Sequence, residues 1–336
     1  MKFFRLLAIV VVLGALAAGF AYFRTTQTYQ GFQDQVYLDI PHGANTRFIG
    51  DLLARKGVVR SSWDFIAARA IQQVVGRNIT LQAGEYRFAR PASPNEVLYR
   101  IARGDIFFFR LIVPEGYNMF DTAAAVKKLG TFSDAAFLKE VRNPALIKDL
   151  DPDAPSLEGY LFPDTYHLTR ATTPHQLAMA MTDRFRNAWR SLDGKSVHKT
   201  VTLASLVERE ARRPEERPRI ASVFENRLDL GMKLDCDPTT VYAALLAGDY
   251  RGKIYRSDLD RESPWNTYKS PGLPPGPIAN PGLSSLKAAL HPESSQYLYF
   301  VAKGDGSGGH AFTQTLAEHQ EATQTLRRAE KQQTQN

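Results

Sequence analysis

The first feature of the hydropathy pattern is an uninterrupted uncharged run from Leu6 to Phe23, which Arg24 closes. A helix that rises about 1.5 Å per residue would span about 27 Å over this run, close to the thickness of a hydrocarbon core. The length and the aromatic end favour an uncleaved anchor, although Ala15-Leu16-Ala17 could serve as the exit of a cleaved signal peptide. We therefore predict that residues 6–23 insert into a lipid bilayer as one transmembrane helix.

The charges around this run predict its orientation. Lys2 and Arg5 precede it, and positively charged residues tend to stay on the cytoplasmic side of a membrane. Residues 1–24 are accordingly expected to form a cytoplasmic tip and a single-pass anchor in the cytoplasmic (inner) membrane. The polar residues 25–35 are expected to be a tether, and all later residues are expected on the extracytoplasmic or periplasmic side.

Beyond the tether, two segments share the order of a strand, a Pro-x-Gly turn and an amphipathic helix. They cover residues 40–53 and 113–126. Such units resemble LysM-type carbohydrate-binding modules, which pair two short helices with a two-stranded sheet, although short α+β units can share this order by chance. We therefore predict a LysM-like α+β region over residues 36–150.

Local signals add detail to this region. Thr46 and Asn118 are the expected caps of the two amphipathic helices. Residues 91–101 predict a further turn followed by a helix. The short segments 79–81 and 85–88, on either side of Gly84, are predicted to pair as strands.

A Pro/Asp-rich stretch at residues 149–155 predicts a domain boundary. Beyond it, apolar residues at helical spacing indicate core helices, and a buried strand followed by a Gly-rich run predicts a hairpin. The whole chain is thus predicted to be α+β, with a mixed α/β catalytic domain after the LysM-like region. The predicted helices lie around 177–192 and 220–228, and the predicted strand covers 297–302. The catalytic domain is predicted to span residues 151–327, and residues 328–336 are predicted to be a frayed tail.

Composition and charge exclude several functions. The net charge of +7 is compatible with nucleic acid, with an acidic polymer or with an anionic lipid surface. The basic residues are scattered and form no long block, zinc-finger or RNP pattern, so we predict no nucleic-acid partner. The single cysteine, Cys236, cannot form an intrachain disulfide, and its two flanking aspartates should raise the thiol pKa and disfavour a thiolate.

The motifs of metal and serine chemistry are missing from the sequence. The seven histidines form neither HExxH nor a close pair. The chain also lacks a GxSxG nucleophile motif. We therefore predict no metal and no cofactor, and we expect acid–base chemistry on carboxylates.

The segment Leu203–Ala211 is the most informative for such chemistry. As a helix, it places Leu203, Leu206, Val207 and Glu210 on one face, so Glu210 takes a position that the pattern reserves for an apolar side chain. Burial without a partner should raise the pKa of this carboxyl, as a general acid requires. The alternative is a core carboxylate that pairs with Arg219 or Arg227.

Several loops combine aromatic, polar and turn-forming residues, as sugar-binding sites do. They are residues 158–166, 237–240, 266–268 and 272–278. Taken singly, Asp237 also suits a helix cap and Tyr268 a packed aromatic.

Taken together, these segments resemble the endolytic murein transglycosylase family (MltG or YceG-like). The resemblance covers most of residues 156–320 in order. It departs at Cys236, where a small polar residue is usual. The segments that carry it are 158–166, 203–210, 222–228, 237–239, 266–268, 272–278, 285–289, 291–292, 297–302 and 310–312.

The resemblance implies a lyase that cleaves the MurNAc–GlcNAc bond of peptidoglycan without water and leaves 1,6-anhydroMurNAc ends. It places the catalytic glutamate on the second acid of the triplet Glu208-Arg209-Glu210, which is Glu210. The expected partners are peptidoglycan glycan strands, the bilayer and the glycan polymerases of wall synthesis. The candidate substrate-binding residues are Glu158, Tyr160, Asp237, Thr239, Asn266, Tyr268 and His310.

A non-enzymatic reading remains open. A membrane-tethered peptidoglycan-binding or cell-division scaffold would share the anchor and the LysM-like units. It would not need a carboxylate on an apolar helix face. Anhydro-sugar products would separate the two functions.

Overall fold

The apolar run at the N-terminus forms helix α1 (Lys2–Thr26). The structure, a computed structural model, describes residues 2–335. Within these residues, the segment Phe3–Thr26 is the one helix long and apolar enough to cross a membrane, and it is not buried in the fold. The predicted helix is confirmed, and its length and composition are compatible with a single-pass membrane protein.

The chain divides into two compact units between Phe109 and Arg110. In the first unit, the strands β1 and β2 pair antiparallel, with Val36 opposite Phe88 and Ile40 opposite Gly84. Two helices connect these strands, and alternate strand residues face a common core with them. The elements after α1 are β1 (Val36–Ile40), α2 (Thr46–Arg55), α3 (Ser62–Val74), β2 (Gly84–Phe88) and α4 (Pro94–Arg103).

Three local expectations for this unit are wrong. Residues 79–81 do not form a strand, because β2 takes β1 as its partner. Asn45, one residue before Thr46, caps α2 by accepting a hydrogen bond from the Phe48 N–H at 2.8 Å. Residues 25–35 are not a free tether, since α1 continues to Thr26 and Tyr29 forms a β-bridge with Ala92.

The second unit is predominantly helical and contains two strand pairs, β3 with β4 and β5 with β6. Helix α8 lies in its core and packs against α9, α10 and α12. The elements are β3 (Phe109–Val113), α5 (Met119–Leu129), α6 (Asp134–Val141), β4 (Asp164–Leu168), α7 (Pro174–Arg190), α8 (Val197–Glu210), α9 (Arg217–Asp229), α10 (Asp237–Ala247), α11 (Arg256–Leu259), α12 (Leu283–Leu290), β5 (Tyr299–Ala302), β6 (His310–Thr313) and α13 (Leu316–Gln335).

The division between the units lies earlier than the expected boundary near residue 150. Strand β3 pairs with β4, which lies beyond the Pro/Asp-rich stretch, and α5 packs on α6, which packs on α7. Residues 110–150 therefore fold with the second unit. The second strand–turn–helix segment lies there, and Asn118 caps α5 as predicted.

Other elements of the second unit confirm or correct the pattern-based predictions. The hairpin is confirmed, with Tyr299 of β5 opposite Thr313 of β6. The tail predicted to be frayed is helical through residue 335 as the end of α13. Asp237 is the first residue of α10 rather than its cap, and Cys236 occupies the cap position.

Candidate active site

Helix α8 carries the candidate catalytic residue out of the core. Its residues from Thr200 to Val207 are all buried, whereas Glu210 at its last position is half-buried. The helix ends there because Ala211 is extended (φ −74°, ψ 109°) and Pro214 disfavours a helical conformation at the residue before it. Glu210 thus lies where a rigid helix meets an open space.

That space is a cavity of about 420 Å³ in the second unit. Its lining combines acidic and polar side chains with aromatic rings. A cavity of mixed character, with flat apolar faces and a few convergent polar groups, is typical of small-ligand and sugar sites. Its lining consists of Glu210, Phe224, Arg227, Leu234, Asp235, Cys236, Asp237, Tyr268, Tyr299, Phe300, Leu316 and His319.

The environment of Glu210 raises the pKa of its carboxyl. Burial is the largest cause, and the nearby Asp237 acts in the same direction. The Cys236 thiol opposes them by donating a hydrogen bond to Glu210 Oε1 over 3.2 Å, which favours the anion. His310 and Arg209 also lower the pKa, but burial dominates. The C-terminal end of a helix disfavours a negative charge as well, so the pKa rises as predicted.

The alternative partners proposed for Glu210 are engaged elsewhere. Arg219 pairs with Glu293, with Nε 3.0 Å from Oε1. Arg227 lies 3.6 Å from the Asp235 carboxylate and donates to the Leu298 carbonyl. The contact that Glu210 makes instead is the neutral one with Cys236.

Glu208 has a different environment. Its side chain is only 6% exposed, and it accepts hydrogen bonds from Arg217 Nη2 at 3.1 Å and from the Gly282 N–H at 3.0 Å. Glu208 could have been expected at the rim of a cleft or in an i, i+4 ion pair with Arg212, but it is buried and its charged partner is Arg217. The two carboxylates of the triplet differ, since Glu208 is held by a guanidinium and Glu210 opens on the cavity.

Two of the predicted binding residues line the cavity beside Glu210. The Tyr268 hydroxyl donates a hydrogen bond to Asp237 Oδ1 over 2.8 Å. Burial, the hydrogen bond to Asp237 and the charge of that residue together raise the pKa of Tyr268. The phenol therefore remains a donor, and the pair presents a polar edge to a ligand.

His310 is a near neighbour of this site. Its Nδ1 lies 2.7 Å from Glu216 Oε2, and its backbone N–H donates to Glu216 Oε1 over 3.0 Å. This carboxylate fixes the ring at the start of β6. From there His310 acts electrostatically on Glu210.

Four predicted binding residues are instead buried in the fold. Glu158, Tyr160, Thr239 and Asn266 are 0% exposed, so direct contact with a glycan does not fit their positions. Each makes hydrogen bonds inside the unit. The sequence pattern marked them because polar groups in a turn-rich segment are equally suited to holding loops.

Two of these residues organise the cavity wall. Asn266 donates from Nδ2 to three backbone carbonyls, and its Oδ1 accepts the Tyr268 N–H at 3.0 Å. Thr239 lies 2.9 Å from the hydroxyl of Thr267, which in turn accepts the Cys236 N–H at 3.0 Å. Both therefore position residues that line the cavity.

The other two are more distant. Glu158 accepts hydrogen bonds from the Met119 N–H at 2.8 Å and from Asn280 Nδ2 at 3.0 Å, and burial raises the pKa of its carboxyl to about 8. Tyr160 donates its hydroxyl to the buried Asp151, which also contacts His198. These groups fix α5 and the segment before β4.

Several cavity residues escaped sequence reasoning. The pKa of the Cys236 thiol is raised, as the sequence predicts, with burial as the largest cause, but no sequence pattern predicts its hydrogen bond to Glu210. The sequence predicts a buried strand at Tyr299 and Phe300 and gives no sign that they line a cavity. In the structure both residues of β5 are half-buried, which leaves part of each ring accessible.

Comparisons with known proteins identify the relatives of this chain. A profile of the YceG-like family matches residues 38–325. An endolytic murein transglycosylase of Bacillus subtilis (strain 168) is 35% identical over 309 residues, which cover 85% of this chain and 83% of that protein. An endolytic murein transglycosylase of Streptococcus pneumoniae serotype 2 (strain D39) is 30% identical over 308 residues, covering 80% of this chain and 54% of that protein.

A solved structure is similar as well. The crystal structure of a yceG-like protein from Listeria monocytogenes has a TM-score of 0.55 and 32% identity, covering 86% of this chain and 99% of that one. The family profile spans both units and includes α8 and the cavity. The chain therefore belongs to the YceG-like family.

Proposed function

We propose that this protein is a membrane-anchored lytic transglycosylase that cleaves the MurNAc–GlcNAc bond of peptidoglycan and leaves 1,6-anhydroMurNAc ends. Two relatives that carry the name endolytic murein transglycosylase support the substrate and cutting within strands. The observation that carries the proposal in this chain is Glu210, a carboxyl with a raised pKa at the edge of a cavity of about 420 Å³.

One carboxyl can perform both halves of this reaction. Protonated Glu210 gives its proton to the glycosidic oxygen as the bond from C1 breaks. The resulting carboxylate then takes the proton of the same sugar's C6 hydroxyl while O6 bonds to C1, so the ring closes and no water is consumed. A group that is first acid and then base works best with a pKa near the working pH, which the burial of Glu210 favours.

The rest of the cavity suits a sugar chain. The Tyr268–Asp237 pair offers a hydroxyl and a carboxylate oxygen to sugar hydroxyls. The rings of Tyr299 and Phe300 line the same space and can stack on the apolar face of a pyranose. Cys236 and Arg227 complete the polar part of the lining, the first through its hydrogen bond to Glu210.

The anchor and the first unit fit the same function. Helix α1 would cross the cytoplasmic membrane once, with Lys2 and Arg5 inside and both units on the side of the wall. The order β1-α2-α3-β2, with its antiparallel strand pair, supports a LysM-like module that binds glycan strands. Glycan polymerases that extend the wall at the same membrane are the expected protein partners.

A non-enzymatic, membrane-tethered scaffold is the alternative, and product analysis separates it from an enzyme. Purified full-length protein would be incubated with wall sacculi and the soluble fragments analysed by mass spectrometry. We expect fragments that end in 1,6-anhydroMurNAc. Reducing ends alone would indicate a hydrolase, and unchanged sacculi would indicate a scaffold.

A further inference from the structure

The C-terminal end of α1 is fixed firmly to the first unit. Arg24 donates two hydrogen bonds to the Asp64 carboxylate near the start of α3, from Nε at 3.1 Å and from Nη2 at 2.7 Å. Thr25 is fully buried, and Asn95 near the start of α4 donates to its hydroxyl at 3.4 Å. The first turns of α3 and α4 therefore lie at the level where the apolar helix ends.

An exposed aromatic residue lies at the same level. Trp63 directly precedes Asp64 and is 63% exposed. The guanidinium of Arg47 on α2 lies 5.2 Å from the centroid of its ring. Tryptophan is enriched where the hydrocarbon of a membrane meets water, because its ring is apolar and its indole N–H is polar.

A second arginine borders a small cavity beside Arg24. The Arg60 guanidinium lies 5.1 Å from the Tyr29 ring centroid, and both residues line a space of about 180 Å³ whose lining also includes the apolar Phe23 and Pro94. Asp64 also borders this space, but Arg24 is bonded to its carboxylate. The cavity lining thus combines cationic and apolar groups, as a lipid phosphate with its attached chains requires.

We propose that the exit corner, formed by Arg47, Arg60, Trp63 and the cavity beside Arg24, lies in the headgroup layer of the bilayer and binds the phosphates of anionic lipids. This inference rests on the proposed crossing of the membrane by α1. It follows that the first unit lies against the membrane surface and does not hang from a flexible spacer. Basic residues close to the end of a transmembrane helix are attracted to the negative surface of a bilayer that contains anionic lipids.

An exposed tryptophan can also stack on a sugar, so a glycan contact is the competing use of Trp63. The position of Trp63 favours the membrane. Its neighbour Asp64 holds Arg24, the residue that closes the apolar run of α1. Trp63 therefore lies beside the expected bilayer surface.

Depth-dependent quenching of tryptophan fluorescence tests the inference on the full-length protein. The protein would be reconstituted into mixed phosphatidylcholine and phosphatidylglycerol vesicles whose acyl chains carry bromine near the headgroup. We expect Trp63→Phe to reduce the quenching at least twofold, whereas the matched variant Trp189→Phe, which removes a buried ring, leaves it unchanged. Equal quenching in wild type and Trp63→Phe, or a Trp63 signal that responds only to glycan fragments, would overturn the inference.

Charge variants test the lipid preference. Arg47→Gln/Arg60→Gln should lose the greater quenching that phosphatidylglycerol gives over pure phosphatidylcholine. The control Arg77→Gln/Arg87→Gln, elsewhere on the unit, should keep it. If the control double variant loses the preference equally, the exit corner has no specific role.

Extraction with alkaline carbonate distinguishes a helix α1 that is not inserted from an exit corner that does not contact lipid. Release of the protein from vesicles would mean that α1 is not inserted, which refutes the proposed anchoring. Retention without quenching of Trp63 by brominated lipid refutes the exit corner alone.

Discussion

At the scale of single residues, the site depends on how the charge of Glu210 is balanced. The spacing of Leu203, Leu206 and Val207 marked Glu210 as a candidate, because a carboxylate on an apolar helix face is visible in the sequence, and the family resemblance assigned the catalytic role to it. The thiol that donates to it could not be found this way. Cys236 meets Glu210 through the packing of α10 against α8, which no local pattern encodes.

Cys236→Ala should move the pH dependence of the reaction to higher pH. The thiol hydrogen bond favours the Glu210 anion and lowers the pKa of its carboxyl, so its loss raises that pKa. Hydrogen bonds to charged groups contribute about 1.5–3 kcal/mol, and about 1.4 kcal/mol corresponds to one pKa unit. The measurement is the rate of anhydro-product formation against pH.

Cys236→Ser is the control for this prediction, since it keeps a donor in nearly the same place. Its pH profile should resemble that of the wild type. A profile for Cys236→Ala that superimposes on the wild type would show that the thiol has no influence on the Glu210 carboxyl.

At the scale of elements, sequence patterns predicted where helices form better than they predicted which strands pair. The apolar stripes of α7 and α9 and the β5–β6 hairpin followed from spacing that is local in sequence. The pairing of β2 with β1 did not, because α2 and α3 separate the two strands along the chain and no local pattern links them. Sequence patterns likewise did not predict the burial of four candidate binding residues, because the segments that cover them are distant along the chain. These residues are Glu158, Tyr160, Thr239 and Asn266.

Glu158→Gln should weaken the dependence of stability on pH. The unfolded chain ionises Glu158 above its ordinary pKa of 4.5, whereas the folded chain keeps it protonated up to a pKa of about 8. Unfolding therefore releases a proton in this window, and the free energy of unfolding falls as pH rises, by at most about 1.4 kcal/mol per pH unit. The urea midpoint at pH 5 and at pH 8 measures the effect.

The glutamine removes the titrating group, so the difference between the two midpoints should shrink even if the variant is less stable at both. Glu225→Gln, whose carboxylate pairs with Lys199 at the surface, should keep the wild-type difference. An unchanged difference in Glu158→Gln would refute the assignment.

Asn266→Ala should damage both the fold and the site. Loss of Nδ2 leaves the carbonyls of Asp258, Leu259 and Arg261 without this donor, and a buried unsatisfied polar group costs about 1–3 kcal/mol. Thermal unfolding should occur at lower temperature and kcat/KM should fall, because Tyr268 loses its support.

Tyr268→Phe, which removes only the hydroxyl contact with Asp237, should raise KM with little change in thermal stability.

At the scale of the whole molecule, the sequence predicted an apolar N-terminal helix and a division of the remaining chain into two parts, but it did not predict where that division lies. Composition placed the boundary at a Pro/Asp-rich stretch, whereas the pairing of β3 with β4 assigns that stretch to the second unit. Residues 25–35 were expected to be a tether because they are polar. The Arg24–Asp64 contact and the Tyr29–Ala92 bridge instead attach them to the first unit.

The topology of the chain can be tested with reporter fusions. A periplasmic enzyme reporter fused after Asn336 should be active in cells, because the positive charges of Lys2 and Arg5 are expected to keep the start of α1 in the cytoplasm. Replacing both basic residues by glutamate should reduce this activity. Activity of a cytoplasmic reporter alone at the same fusion site would contradict the single crossing.

The central claim is that Glu210 is the acid and base of the reaction, and the most direct measurement is anhydro-product formation by purified Glu210→Gln. Glutamine keeps the shape but cannot deliver an acidic proton, so activity should fall by about 10²–10⁴-fold or more, while folding and glycan binding persist. Glu208→Gln should be milder in activity, and the surface control Glu215→Gln should be unaffected. Near-normal product formation by folded Glu210→Gln would contradict the account, and loss of activity in Glu208→Gln alone would assign the role to Glu208.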